Sequence, residues 1–328
     1  MSLRSTVLIC SLFYQAFISA EVLITTRVLK NQVDLEVLPE AIAVVASSYL
    51  QPWPRERIQE FVHDHLDSRK SQLPSWTLAQ ALLLDNLHRH VQSFAAAFAS
   101  EALTKQLGVD ELDAIPKYPP SPDEIHRVQR ALYRFELYCN LFRDSRTLFN
   151  IKVPMGLFFN KFSPWENEQL GSIHDYLFHI FSPAFTNMTE EDVAWGAFEV
   201  DITDELDSGY IQHLMSLGLS YIHELRQQRP TKTATASYMI CTQNSTMIFY
   251  IRFAHRYAPF FHEQDPGPER AWRWALQDAT RANFIYTDSE QLLRKRGYCF
   301  GDLTRLEAWP QSHQLWEPPT LSPSASDL

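Results

Sequence analysis

Glycine is scarce in this chain, with 9 among 328 residues. Loops that cradle phosphate need clustered glycines, because backbone must approach the ligand closely and often at positive φ. No G-x-G-x-x-G and no G-x-x-x-x-G-K-[ST] occurs, and the nearest pair, Gly297 and Gly301 in GYCFG, has no lysine–serine sequel. Dinucleotide-binding and P-loop enzymes of the common kind are thereby disfavoured. Cysteine is also sparse. Cys10, Cys139, Cys241 and Cys299 stand far apart with no C-x-x-C, which excludes a zinc ribbon or a redox pair on spacing. Cleavage near Ala20 would leave an odd number, which suits a reducing compartment better than a disulfide framework. No apolar run reaches the ~18–20 residues a bilayer-spanning helix requires, so no transmembrane segment is expected. Basic excess is missing too: net charge is -10 and the pI is about 5.6. A nucleic-acid partner needs a cationic footprint to displace counterions, so none is expected. The knot Arg294-Lys295-Arg296 reads as a solvated helix end.

What the chain does have is helix grammar. Residues 22–50 read as two short helices, with Pro39 in a first turn. RERIQEFVHDHLDSR, 55–69, places Ile58, Phe61, Val62 and Leu66 at helical spacing. After Pro74, Leu84, Leu87, Val91, Phe94 and Phe98 continue the pattern to about Lys105. The proline- and acid-rich loop at 107–121 marks a candidate boundary between two subdomains. It ends on Ser121-Pro122-Asp123-Glu124, a capping-box start. The helix that follows, IHRVQRALYRFELYCNLFR, is apolar on most sides and should lie at the centre. Ser163-Pro164-Trp165-Glu166 repeats the start signal, and TEED from Thr189 is a weaker one. Residues 207–228 predict a further helix. The runs ASYMIC and TMIFYIRF leave open a short strand pair around 236–254. PGPERAWRWALQDATRA restarts helix, and Gly297 is a plausible helix end. The fold class is mainly α, an irregular multi-helix domain over 21–310, with a disordered tail at 311–328.

No catalytic, cofactor-binding or metal-ligating set emerges. His63 and His65, and His88 and His90, are i,i+2 pairs that face opposite sides of a helix, so they read as solvated surface histidines. HELRQ from His223 lacks the second histidine of a zinc-protease helix, with Gln227 in its place. Cys139 lies on an apolar face and reads as a packing thiol. Arg130, Arg134 and Glu136 sit inside the central apolar helix, where charge must be paired. They are the candidate buried polar network.

Three segments together resemble a large family of uncharacterised filamentous-fungal helical proteins. They are RALYRFELYCNLFR (130–143), FSPWENEQLGSIHDYLF (162–178) and RKRGYCFGDLTRLEAW (294–309). The family pattern has an aromatic where Gly301 stands. The resemblance covers most of 21–310 and implies no catalytic residues. Many members carry an F-box-like start, and LICSLFYQAF is similar to the last helix of one, through Leu8, Cys10, Phe13, Tyr14 and Phe17. That likeness implies a protein partner, the adaptor subunit of a cullin-type ubiquitin ligase. The upstream LPxE helix of an F-box is missing, since only MSLRSTV precedes.

Residues 1–20 therefore have two readings. As the remnant of an F-box-like helix, they belong to an intracellular helical interaction module without catalytic activity. In that case Phe13, Tyr14 and Phe17 should pack against the following helices. As a signal peptide, with Arg4, the apolar run Val7–Ala20 and the small Ala20, they belong to a secretory-pathway protein and should project from the body. An enzyme with an unrecognised site is the third possibility, motivated by the aromatic-rich core.

Overall fold

A computed structural model of the chain describes residues 11–50, 55–67, 76–103, 119–143, 157–191, 211, 214–227, 265–276, 292–302 and 304–305, the side chains of 55 and 181–191 excepted. Among these residues every regular element is helical and no strand occurs. The strand pair considered for 236–254, most of the loop at 107–121 and the tail at 311–328 lie outside the described residues.

Helices α1 (Ser11–Ser19) and α2 (Glu21–Gln32) meet at Ala20 with a bend of 88°. Helix α3 (Leu38–Ser48) carries Pro39 in its first turn, where a missing N–H costs nothing. Helix α4 (Arg55–Val62) runs on into a π turn, His63–Asp67. Helix α5 (Leu78–Phe98) opens on a capping box between Thr77 and Gln80 and ends in a second π turn, Ala99–Leu103. Helix α6 (Pro122–Phe142) starts at the Ser121–Glu124 box. Helix α7 (Pro164–Glu191) starts where Ser163 and Glu166 cap one another reciprocally. Helices α8 (Leu219–Gln227), α9 (Gly267–Leu276) and α10 (Leu292–Lys295) complete the set.

Helix α6 is the axis. Helices α3, α5 and α7 all pack on it, and Val128, Ala131, Leu132 and Tyr133 are sealed from solvent. An amphipathic helix buries one stripe; one apolar on most sides needs neighbours on most sides. Phe158, Phe159 and Phe162 close one end of this core against Tyr138 and Phe142 with ring centroids 5.0–6.0 Å apart, mostly edge to face. A smaller cluster of Trp165, Trp272, Leu293, Tyr298 and Cys299 joins the start of α7 to α9 and to the turn after α10. That turn depends on Gly297 at φ +62.

Three expectations are corrected here. The predicted helix over 207–228 is interrupted: a turn at Ser216–Gly218, with Gly218 at φ +96, precedes α8. Thr189 of the TEED signal lies within α7 and is no helix start itself, while the VAWGAF run after it lies outside the described residues. His88 is not solvated. It is buried, and its Nδ1 lies 2.7 Å from the Tyr133 hydroxyl, so α5 turns one histidine of the HRH pair inward onto α6. His90 is half-buried and meets His223 of α8, ring centroids 4.4 Å apart.

Candidate functional site

Helix α1 contains no charged residue. A nine-residue helix flanked by one neighbour can bury only one narrow face, and Phe17 takes that place at 3% exposure. Phe13 and Tyr14 point outward, 55% and 46% exposed, which corrects the expectation that both pack inward. Phe13 and Phe17 are i,i+4 on one side of α1, yet only Phe17, in the turn next to the bend at Ala20, is buried. Leu8 and Cys10 lie outside the described residues. Large exposed apolar side chains concentrate at Leu12, Phe13, Tyr14, Ile18, Val22 and Leu23; beyond that stretch, among the described residues, only Leu35, Tyr49, Leu82 and Leu83 are comparably open. No single described helix is long and apolar enough to cross a membrane; α1 and α2 reach that length and composition only as a bent pair.

Attachment to the body begins immediately after the bend. The Glu21 carboxylate accepts from the Leu78 N–H at 2.7 Å, at the start of α5. Thr25 donates its hydroxyl to the Trp76 carbonyl at 2.9 Å, and Leu29 is buried.

Five charged residues of α6, Glu124, Arg127, Arg130, Arg134 and Glu136, are buried and reach segments distant in sequence. The Glu124 carboxylate, besides capping α6, accepts from Arg305 at 2.7 Å through each oxygen and from the Asp302 N–H at 2.8 Å. Arg127 makes a two-pronged pair with Asp265, at 2.7 and 3.0 Å, and a further bond to Asp302 at 2.8 Å. Burial works against the Arg127 charge, but the two carboxylates outweigh it and hold the guanidinium above its ordinary value. Arg130 stands 3.6 Å from Asp265. Arg134 donates to Glu40 of α3 and Glu166 of α7 and lies 5.0 Å from the Phe162 ring centroid. Glu136 points elsewhere, accepting the Leu219 N–H at 2.6 Å and so sitting on the N-terminus of α8, where a negative charge is favoured. Burial nevertheless raises its pKa, with Leu219 and Arg143 opposing.

Arg130, Arg134 and Glu136 are each buried, and their described partners are Asp265, Glu40 with Glu166, and the Leu219 N–H respectively. A fourth contact, not read from the sequence, is also buried. Arg294 forms a double bond pair with Glu168, at 3.0 and 2.7 Å, and a third bond to Asp175 at 3.0 Å. Asp175 in turn lies 3.3 Å from His174 Nδ1. Burial opposes the Asp175 charge, yet His174 and Arg294 hold its carboxyl below the usual range. The only sequence signal for this cluster was the cationic knot at 294–296, and it pointed to solvent.

Among the described residues no cluster of three or more His, Cys, Asp or Glu side chains could hold a metal ion. Cys139 and Cys299 are buried free thiols, both pushed well up by burial. Neither is an available nucleophile. No family model, no curated protein and no solved structure matches the chain.

Proposed function

We propose that the chain is a helical protein-interaction module without catalytic activity, and that α1 with the first turn of α2 is its docking element. The observation that carries this reading is the uncharged helix α1 with Leu12, Phe13, Tyr14 and Ile18 open to solvent. Several large apolar side chains open to solvent on one uncharged helix fit an interaction site. The ligase-adaptor partner implied by LICSLFYQAF attaches to the same residues. Triple substitution Leu12→Ser, Phe13→Ser and Ile18→Ser tests it. The adaptor subunit co-expressed with the full chain should co-elute with wild type and separate from the variant, with helix content unchanged in both. Equal elution of the two proteins, or no complex with wild type, defeats the adaptor version.

A second reading takes the same outward projection of Phe13 and Tyr14 as that expected of a signal peptide, and adds a further observation. The bend falls at Ala20, and the hydrogen-bonded attachment begins at Glu21, so a cleavable secretory signal ending there would leave the body whole. N-terminal sequencing of the protein recovered from its own cells separates the two. A first residue near Glu21 favours the secretory reading; an intact start at Met1 or Ser2 favours the intracellular one. Buried, unbonded Cys139 and Cys299 agree with the intracellular one.

A further inference from the structure

Between Ser11 and Thr26 the only charged residue is Glu21, and its carboxylate is already held by the Leu78 N–H. Every residue of α1 except Phe17 is exposed. Leu12, Phe13 and Tyr14 follow one another at steps of about 100° around the helix, and Ile18 lies further round still. The open apolar side chains therefore take up more than half of its circumference. Helix α2 continues the pattern with Val22 and Leu23, 46% and 67% exposed. Beside it α5 carries no charge from Leu78 to Leu84, and Leu82 and Leu83 are open as well. Arg27 and Lys30 then share a face of α2 with Leu23. Both are exposed, and neither has a partner among the described residues.

We propose that α1 and the first turn of α2 seat the protein on an anionic phospholipid surface, with α1 lying in the interface and α2 standing out of it. The inference rests on the reading of this element as the docking surface, and it names what that surface meets. Three observations favour lipid over a groove in a protein. A groove covers one stripe of a helix, whereas a fluid apolar layer accommodates side chains spread around most of α1. The 88° bend sets α2 upright when α1 lies flat. Arg27 then stands about 6 Å and Lys30 about 10 Å above Leu23, at 1.5 Å per residue. The polar layer of a bilayer is roughly 5–8 Å deep on each side, and long cationic side chains bend towards it, so both charges reach the headgroups. Their sign decides which lipid is preferred, an anionic one, although the chain as a whole carries a net charge of -10.

The remainder of the element agrees with this orientation. Helix α1 has 9 residues, far below the ~20 that a span requires, so lying in the interface is the geometry open to it. Asp34 and Glu36, the next acidic residues after Glu21, come only after α2 has ended. Within α2 the two cations are therefore opposed by Glu21 alone, which is bonded to Leu78. The Glu21–Leu78 and Thr25–Trp76 bonds fix α2 to the start of α5. The body is thereby carried on this foot without rearrangement.

The test is co-sedimentation of the full chain with vesicles of mixed phosphatidylcholine and phosphatidylserine, beside vesicles of phosphatidylcholine alone. Wild type should bind the mixed vesicles about thirty-fold more tightly than the neutral ones, near a factor of five for each cation. Salt should remove that advantage, and so should Arg27→Gln with Lys30→Gln. Leu12→Ser with Phe13→Ser and Ile18→Ser should abolish binding to both kinds of vesicle, with helix content unchanged. Equal binding to the two kinds, or a preference that salt leaves intact, overturns the proposal. Vesicle binding that survives the triple substitution overturns it too, because α1 is then not the contact. Co-elution with the adaptor subunit, together with no binding to either vesicle, defeats the lipid inference and leaves the docking reading standing. The lipid and salt series on wild type decides the matter even where a variant does not fold.

Discussion

Arg134 donates to Glu166 at 2.9 Å while the other oxygen of the same carboxylate accepts the Ser163 N–H at 2.7 Å. One side chain thus starts α7 and ties it to α6. Glu124 does the same work at the other end of α6, capping with Ser121 and holding Arg305. Arg294 then fastens the closing turn to Glu168 and Asp175, and Gln169 donates to the Cys299 carbonyl at 2.8 Å. The segments 130–143, 162–178 and 294–305 converge through these contacts. Their charged residues hold helices together.

Arg134→Ala should therefore be severe. Arg134 and Glu166 are both about 1% exposed, and removing the cation leaves a buried carboxylate uncompensated. Such losses cost about 3–5 kcal/mol. Urea unfolding of Glu40→Gln should show a smaller loss than Arg134→Ala, because Glu40 is 14% exposed. Equal losses would mean that the Glu166 contact contributes little.

Two glycines should respond in opposite directions. Gly218→Ala meets a φ of +96 and places Cβ 2.7 Å from a Glu136 oxygen, so strain and collision add, at about 1–3 kcal/mol or more. Gly171 lies inside α7, where a Cβ would touch Arg294 at 3.4 Å. Gly171→Ala should be neutral or stabilising by up to about 1 kcal/mol through helix propensity. Thermal midpoints shifting the same way in both would contradict this.

Local signals and distant partners account for what could be foreseen. Ser121 and Glu124, and Ser163 and Glu166, lie three residues apart, so both helix starts were legible from spacing. The central place of α6 followed from Phe135, Leu137, Tyr138 and Leu141 spreading around its surface. The break before α8 was not legible, because the group that caps Leu219 is Glu136, far away in sequence. His88 looked solvated because its partner, Tyr133, belongs to another helix. Arg294 belongs to a cationic run in which it is buried in its ion pairs, while Lys295 is exposed and Arg296 half-buried. Phe13 and Phe17 share a helix, yet only Phe17 is buried.

Acid should act in two stages. His88 and His90 are held below 6.5, chiefly by desolvation, His90 also by His223 and Arg89. As pH falls below 6.5 the unfolded chain takes up these protons first, so stability falls from there down to the folded values. Asp175 and Asp265 are held below 3.8 against burial, by His174 and Arg294 and by Arg127 respectively. Their contribution is intact above 3.8 and is lost as pH falls through their depressed folded values. Urea midpoints against pH should show both stages, and His90→Gln should shrink only the upper one. A profile flat down to the carboxylate range would refute the histidine stage.

Removing residues 1–20 should separate binding from folding. Among the described residues of that segment Phe17 is the large buried side chain, and its burial is worth about 1.5–3 kcal/mol. The bonds from Glu21 to Leu78 and from Thr25 to Trp76 remain, so α2 stays seated on α5. The shortened chain should keep its helix content and unfold cooperatively at a modestly lower urea midpoint. Phe17→Ala in the full chain should reproduce most of that shift, whereas Phe13→Ala should leave the midpoint unchanged, because Phe13 makes its surface available rather than buried. A shortened chain that fails to fold would show α1 to be part of the core, and the exposed apolar face would then need a structural rather than a binding explanation.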